Sequence, residues 1–214
     1  MIRAIRNLGL VLLIGAGAAA QAETVTVAAL GDSLTAGYGL PTEDGFVPVL
    51  QGWLDAQGAD VRLINAGVSG DTTAGGLSRV DWTLGDDVDA MIVALGGNDY
   101  LRGLDPAVSR ANLDGILSAA QDRGVEVLLV GITAGTNYGP AYKQSFDTMY
   151  TDLASTYDVP LFPSFFAGLQ AVAGMAEGVQ EFMQADGIHP NAEGVRVIVE
   201  AIGPAVLDLA AQAR

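Results

Sequence analysis

Ser33 is the residue around which a reaction can be assembled in this sequence. It stands in Gly31-Asp32-Ser33-Leu34-Thr35, directly after the apolar, β-branched run Thr24–Leu30. That run predicts a strand over 24–30, being too short for a helix, and Gly31 breaks it. In an open α/β sheet, ligands bind in the crevice outside the carboxyl ends of the strands. A serine placed there can act as a nucleophile if a base takes its proton and donors stabilise the oxyanion that forms. Taken alone, the same residue reads equally well as a turn or helix N-cap serine.

The base is constrained by scarcity. His189 is the only histidine in 214 residues, so any imidazole-based proton transfer must use it. Asp186 lies three residues earlier, in Asp186-Gly187-Ile188-His189-Pro190-Asn191. A turn of that length can fold the carboxylate onto Nδ1 and leave Nε2 free to face Ser33. The plainer alternative is that Asp186 caps a turn ahead of the following helix. Three oxyanion donors are available: the Asn98 side-chain amide, the Gly70 backbone N–H, which no Cβ obstructs, and the N–H of Ser33 itself. Asp32, Asp71 and Asp99 read as supporting or turn residues. One histidine argues against a multi-histidine metal site, and the absence of cysteine excludes cysteine-ligated metals and disulfides.

These residues need elements that bring them together. Gly31-Asp32-Ser33 follows the first predicted strand, Gly67-Val68-Ser69-Gly70-Asp71 the second (61–65), and Gly96-Gly97-Asn98-Asp99 the third (90–95). In a parallel sheet, such strand ends line one edge, so loops far apart in sequence converge. A fourth strand is predicted over 125–132 and a short fifth over 159–162. Helices are expected at about 45–57, 77–84, from Pro106 to Gly124, 140–157 and 192–211, the last kinked at Pro204. In the helix after Pro106, Leu113, Ile116, Leu117 and Ala120 form one apolar face. The last helix should bury Val195, Ile198, Val199, Ile202 and Val206. Residues 66–76 read as loop, and 163–183 as short helix and loop. Alternating strands and helices predict a three-layer α/β/α sandwich on a five-stranded parallel sheet, in one domain over 23–214.

Composition sets the surroundings. Half of the residues are hydrophobic and the mean hydropathy is +0.35, so a sizeable core is expected. The balance of 25 acidic against 10 basic residues repels phosphate backbones and anionic lipid, which argues against a nucleic-acid partner. Residues 1–22 read as a cleaved signal peptide: Arg3 and Arg6, an apolar stretch from Leu8 to Ala20, then Ala20-Gln21-Ala22. The stretch is shorter than the ~20 residues a membrane span needs, so no stable anchor is expected. That segment holds two arginines and no acid, so cleavage takes the formal net charge from −15 to −17. A soluble periplasmic or secreted protein follows. Its oligomeric state is not legible.

The Ser33 segment departs from the G-x-S-x-G elbow of α/β-hydrolases, with threonine where the second glycine belongs. The four clusters, in this order, instead resemble the blocks of the SGNH (GDSL-type) hydrolase superfamily. Within it the chain is most similar to the group of periplasmic thioesterase/protease/lysophospholipases and arylesterases. The matching segments are Gly31–Tyr38, Asn65–Thr72, Gly96–Gly103, Asn137-Tyr138-Gly139 and Asp186–Asn191. The resemblance implies a flavodoxin-like fold with strand order 2-1-3-4-5 and no metal or cofactor. It also implies Ser33 as nucleophile, Ser33, Gly70 and Asn98 as oxyanion hole, and Asp186 and His189 as the rest of a triad. The match weakens around 38–44 and over 163–183.

The resulting expectation is a serine esterase acting on small-molecule or lipid esters, with lysophospholipase and acyl-CoA thioesterase activity. Its rivals are a carbohydrate acetyl esterase on the same machinery and a binding protein that kept the fold without the activity. Trp53, Trp82, Tyr138, Phe165, Phe166 and Phe182 read as core aromatics, of which Tyr138 alone is expected to lie near the substrate.

Overall fold

The computed structural model describes residues 24–173 and 179–214. The proposed leader, 1–22, lies outside the described residues, as does 174–178 within the 163–183 stretch. Five parallel strands form one sheet in the order β2-β1-β3-β4-β5: β1 Val25–Gly31, β2 Val61–Gly67, β3 Ala90–Ala94, β4 Glu126–Val130 and β5 Leu161–Phe162. Every residue of β1 and β3 is buried, as befits central strands covered on both faces. The register aligns Gly31 with both Gly67 and Ala94, so the first three strands end level with one another. The chain goes from β1 to β2 on one side, then crosses over to β3 on the other. The gap between β1 and β3 is therefore the topological switch point, where such sheets open a crevice.

Helices cover both faces. On one side α2 (Phe46–Ala56) and α7 (Ala167–Ala173) pack against the long α8 (Ala192–Gln212); on the other, α5 (Pro106–Asp122) packs against α3 (Thr73–Thr83) and α6 (Pro140–Tyr157). β4 touches α8, α5 and α6, so the three-layer sandwich expected from the sequence is present. The apolar faces predicted for α5 and α8 are the buried ones. α8 runs unbroken across Pro204, which stands on its exposed side, where the carbonyl freed by the missing N–H can be hydrated. No helix among the described residues is long and apolar enough to cross a membrane.

Three local expectations need correction. α3 begins at Thr73, well inside the stretch read as loop, with Thr72 Oγ1 accepting the Gly75 N–H at 3.3 Å. Gly75-Gly76 suggested a loop, but Gly76 is there for close packing: a Cβ on it would lie 2.2 Å from Leu95 Cδ1. Two short helices were also illegible, α1 (Ser33–Ala36) and α4 (Gly97–Leu101). Each starts within a few residues of a strand end and carries a residue proposed for chemistry in its first turn, Ser33 in α1 and Asn98 in α4. Trp82, read as core, is 84% exposed on α3, and Phe166 lines a cleft described below.

Candidate active site

Ser33 is the first residue of α1. As such its N–H has no intrahelical acceptor, and among the described residues it has no protein acceptor at all. Asp32 caps the helix, its Oδ1 accepting the Leu34 N–H at 3.0 Å. The strand end beneath is clamped by Arg79 of α3. Its guanidinium donates to the carbonyls of Gly31 (2.9 Å) and Ala66 (2.7 Å) and to Asp71 Oδ2 (2.7 Å). One side chain thus fixes the ends of β1 and β2 and the loop that carries Gly70.

His189 lies just before α8, which Asn191 caps by accepting the Gly194 N–H at 2.9 Å. Asp186 Oδ1 accepts the N–H groups of Ile188 (2.9 Å) and His189 (3.0 Å), closing the turn that the three-residue spacing suggested. Its Oδ2 is 2.7 Å from His189 Nδ1, and His189 Nε2 is 2.8 Å from Ser33 Oγ. The hydrogen bond to His189, followed by those from the backbone N–H groups of His189 and Ile188, pulls Asp186 from the ordinary 3.8 to about 2. An ionised carboxylate can only accept, so Nδ1 must carry its proton toward Asp186 and Nε2 is left to accept from the Ser33 hydroxyl. The sign of the linkage follows. Asp186 contributes stability that is present above its unfolded value of 3.8 and is lost as pH falls through about 2.

Around this line, Gln184 donates from Nε2 to the carbonyls of Tyr38 (2.8 Å) and Pro190 (2.9 Å), tying the histidine loop to the segment after α1. The Tyr38 ring lies 4.6 Å from the imidazole, centroid to centroid. Neither Gln184 nor Arg79 carried a sequence signal, because each acts between segments distant in the chain. For Tyr38 the matched block Gly31–Tyr38 was the available hint.

Asn98 occupies the first turn of α4, across the switch point from Ser33. One Nδ2–H donates to Asp32 Oδ2 at 3.2 Å; the amide has a second donor to offer. Asp32 is 2% exposed, and burial pushes its carboxyl up from 3.8 to about 6 against the lowering effects of Leu34, Asn98 and His189. Between 3.8 and about 6 the folded chain retains a proton that the unfolded chain has lost. The stability attributable to Asp32 therefore falls as pH rises through that window, by about 3 kcal/mol. Gly70 has φ +86°, and Arg102 Nη2 holds its carbonyl at 2.8 Å. Its N–H has no protein acceptor among the described residues. Asp99 is fully buried and accepts from Thr73 N (2.8 Å), Thr73 Oγ1 (2.6 Å) and Ser109 Oγ (2.9 Å), which locks α4 to α3 and α5.

Ser33 and Asn98 open onto a cleft of about 180 Å³ walled by Leu34, Tyr100, Leu101, Ile132, Phe166 and Ile188. Tyr138 is not part of that wall. It stands exposed beside it, its hydroxyl donating to the Leu101 carbonyl at 3.3 Å and its ring edge-on to Tyr100. A larger depression of about 340 Å³ lies at the opposite sheet edge, near Glu126, Tyr157 and Asp158, away from every residue proposed for chemistry. Among the described residues, no three His, Cys, Asp or Glu side chains are grouped to hold a metal ion.

Comparison with known proteins agrees with this architecture. Residues 29–197 match the GDSL-like Lipase/Acylhydrolase family. The esterase TesA of Pseudomonas aeruginosa is 40% identical over 190 residues, 88% of this chain and 91% of the relative. A crystal structure of TesA superposes with a TM-score of 0.77 at 39% identity, covering 86% of this chain and 99% of that one. An arylesterase of Vibrio mimicus is 38% identical over 199 residues (92% and 96%). The thioesterase 1/protease 1/lysophospholipase L1 of Escherichia coli is 36% identical over 183 residues (85% and 82%). The chain therefore belongs to the GDSL-like lipase/acylhydrolase family, the SGNH hydrolases, and is a hydrolase of ester bonds.

Proposed function

We propose that this chain is an exported serine esterase, hydrolysing acyl and aryl esters through an acyl-enzyme on Ser33. The single observation that carries the proposal is the unbroken hydrogen-bonded line from Ser33 Oγ through His189 to Asp186, beside an apolar cleft. Ser33 Oγ attacks the acyl carbonyl carbon as its proton passes to His189 Nε2, and Asp186 holds the imidazolium. The oxyanion takes hydrogen bonds from Asn98 Nδ2, Gly70 N and Ser33 N. Collapse expels the leaving group, protonated by His189. A water deprotonated by His189 then attacks the acyl-Ser33 carbonyl and releases the acid.

Asn98→Ala tests the oxyanion assignment. Losing one such donor costs about 3–4 kcal/mol, or 10²–10³ in kcat, with KM little changed. A loss confined to KM would make Asn98 a substrate-binding residue instead.

The cleft bears on substrate. At about 180 Å³ it is smaller than the roughly 300–1,000 Å³ of common ligand pockets, and its six apolar walls favour a short to medium acyl chain. Each methylene buried contributes about 0.8 kcal/mol, so kcat/KM should rise up to ~4-fold per carbon from acetyl and then turn over before palmitoyl. The formal net charge of −17 left once residues 1–22 are cleaved disfavours polyanionic acyl-CoA relative to a zwitterionic lysophospholipid of equal chain length. Thioesterase activity is then a side reaction, and salt should narrow the gap. A hydrolysis panel from acetyl to palmitoyl esters, with lysophosphatidylcholine and acyl-CoA at low and high salt, checks all of this. Acetylated sugar as the sole good substrate would point to the carbohydrate esterase. Preference for acyl-CoA at low salt, with an intact N-terminus and cytosolic fractionation, would contradict the exported oxyesterase.

A further inference from the structure

We propose that Asp32 is a positioning residue for the oxyanion donor Asn98: its buried carboxylate takes one Nδ2–H and so turns the other toward the substrate oxygen over Ser33. The inference rests on the triad reading above and goes beyond it by assigning a task to a carboxylate that no step of the reaction uses.

An asparagine amide rotates broadly about its terminal torsion, and its O and N ends have nearly the same shape. Unconstrained, Asn98 could present Oδ1 to the developing oxyanion, which would repel it. A neighbour that only accepts removes that choice, and an ionised carboxylate only accepts. Both oxygens of Asp32 are engaged, Oδ1 with the Leu34 N–H at 3.0 Å and Oδ2 with Asn98 Nδ2 at 3.2 Å.

Capping alone does not explain an aspartate here. Serine or asparagine caps a helix as well, without the cost of burying a charge. What aspartate adds is an acceptor at both oxygens. The charged or titratable groups facing it are His189, whose positive form favours the carboxylate, Asp99, which opposes it, and the buried Tyr150, whose hydroxyl donates to the Leu95 carbonyl and is held well above its ordinary range by burial, so that it stays neutral. Burial raises its titration to about 6, so the constraint on Asn98 weakens as pH falls through that value. A protonated Oδ2 can donate to a flipped Asn98 Oδ1.

Asp32→Asn is the informative substitution. The Leu34 N–H is fixed in the backbone and claims Oδ1 of the new amide. The new NH₂ group then faces Asn98 and selects its flipped orientation. Measured with a saturating chromogenic ester, Asp32→Asn should lower kcat about 10–10²-fold with KM nearly unchanged, bounded by the 10²–10³ of removing the donor outright. In an Asn98→Ala background the same substitution should change kcat by less than about 2-fold, because the group through which it acts is gone. An equal factor in both backgrounds overturns the proposal, since a purely structural role or a direct field on His189 would persist without Asn98. Failure of Ser33→Ala to abolish turnover would instead overturn the triad reading.

Should Asp32→Asn not fold, the native side chain still reports. The Asn98 side-chain amide resonances, assigned by their loss in Asn98→Ala, are followed in His189→Ala so that imidazole titration does not contribute. Because His189 lowers the Asp32 titration, its removal should place the inflection above about pH 6; resonances that stay fixed from pH 4 to 8 overturn the proposal.

Discussion

Ser33→Ala is expected to lower kcat for a simple aryl ester by about 10⁵–10⁶-fold, the scale on which serine triads lose activity when the nucleophile is removed. The fold should survive. Among the described residues the Ser33 hydroxyl makes its hydrogen bond to His189 alone, and the helical turn it starts is capped by Asp32. KM should move little, because the apolar cleft that would take the acyl chain is untouched. Steady-state kinetics with a thermal melt on the same sample check both parts. Residual turnover within tenfold of the native protein would mean that another group attacks the ester.

The second large effect belongs to the base. His189→Ala should cost about as much as losing Ser33, and the double variant little more than either alone, since the members of a triad act as one unit. With a single histidine in the sequence, no second imidazole can substitute. Asp186→Asn should cost about 10⁴, because an amide does not enforce the proton on Nδ1 that leaves Nε2 as the acceptor. Kinetics of the single and double variants decide the matter. Effects that multiply would mean that Ser33 and His189 serve separate steps.

Much of this arrangement was legible because it is written locally. β1 and β3 are continuous apolar runs, and a parallel sheet needs such runs at its centre. The turn from Asp186 to His189 closes within four residues, so its spacing could be read directly. What escaped is non-local. Arg79 reaches back 48 residues to the Gly31 carbonyl, Gln184 spans 146 residues to Tyr38, and Asp32 meets Asn98 across 66. No periodicity or composition marks such contacts. The missed starts of α3 and α4 share another cause. Glycine pairs that suggest loops there serve close packing and tight strand-to-helix turns. Tyr138 illustrates a third limit, since a place in a matched block does not say whether a ring lines the cleft or only touches the residues that do.

The central claim is that Ser33 carries the acyl group, and covalent capture tests it most directly. The purified protein is treated with a serine-directed phosphonate ester, weighed intact and digested for peptide mapping. One adduct per chain is expected, on the peptide holding Gly31-Asp32-Ser33, and none in Ser33→Ala. An adduct on any other residue, or full ester hydrolysis by protein that never takes the label, would contradict the account.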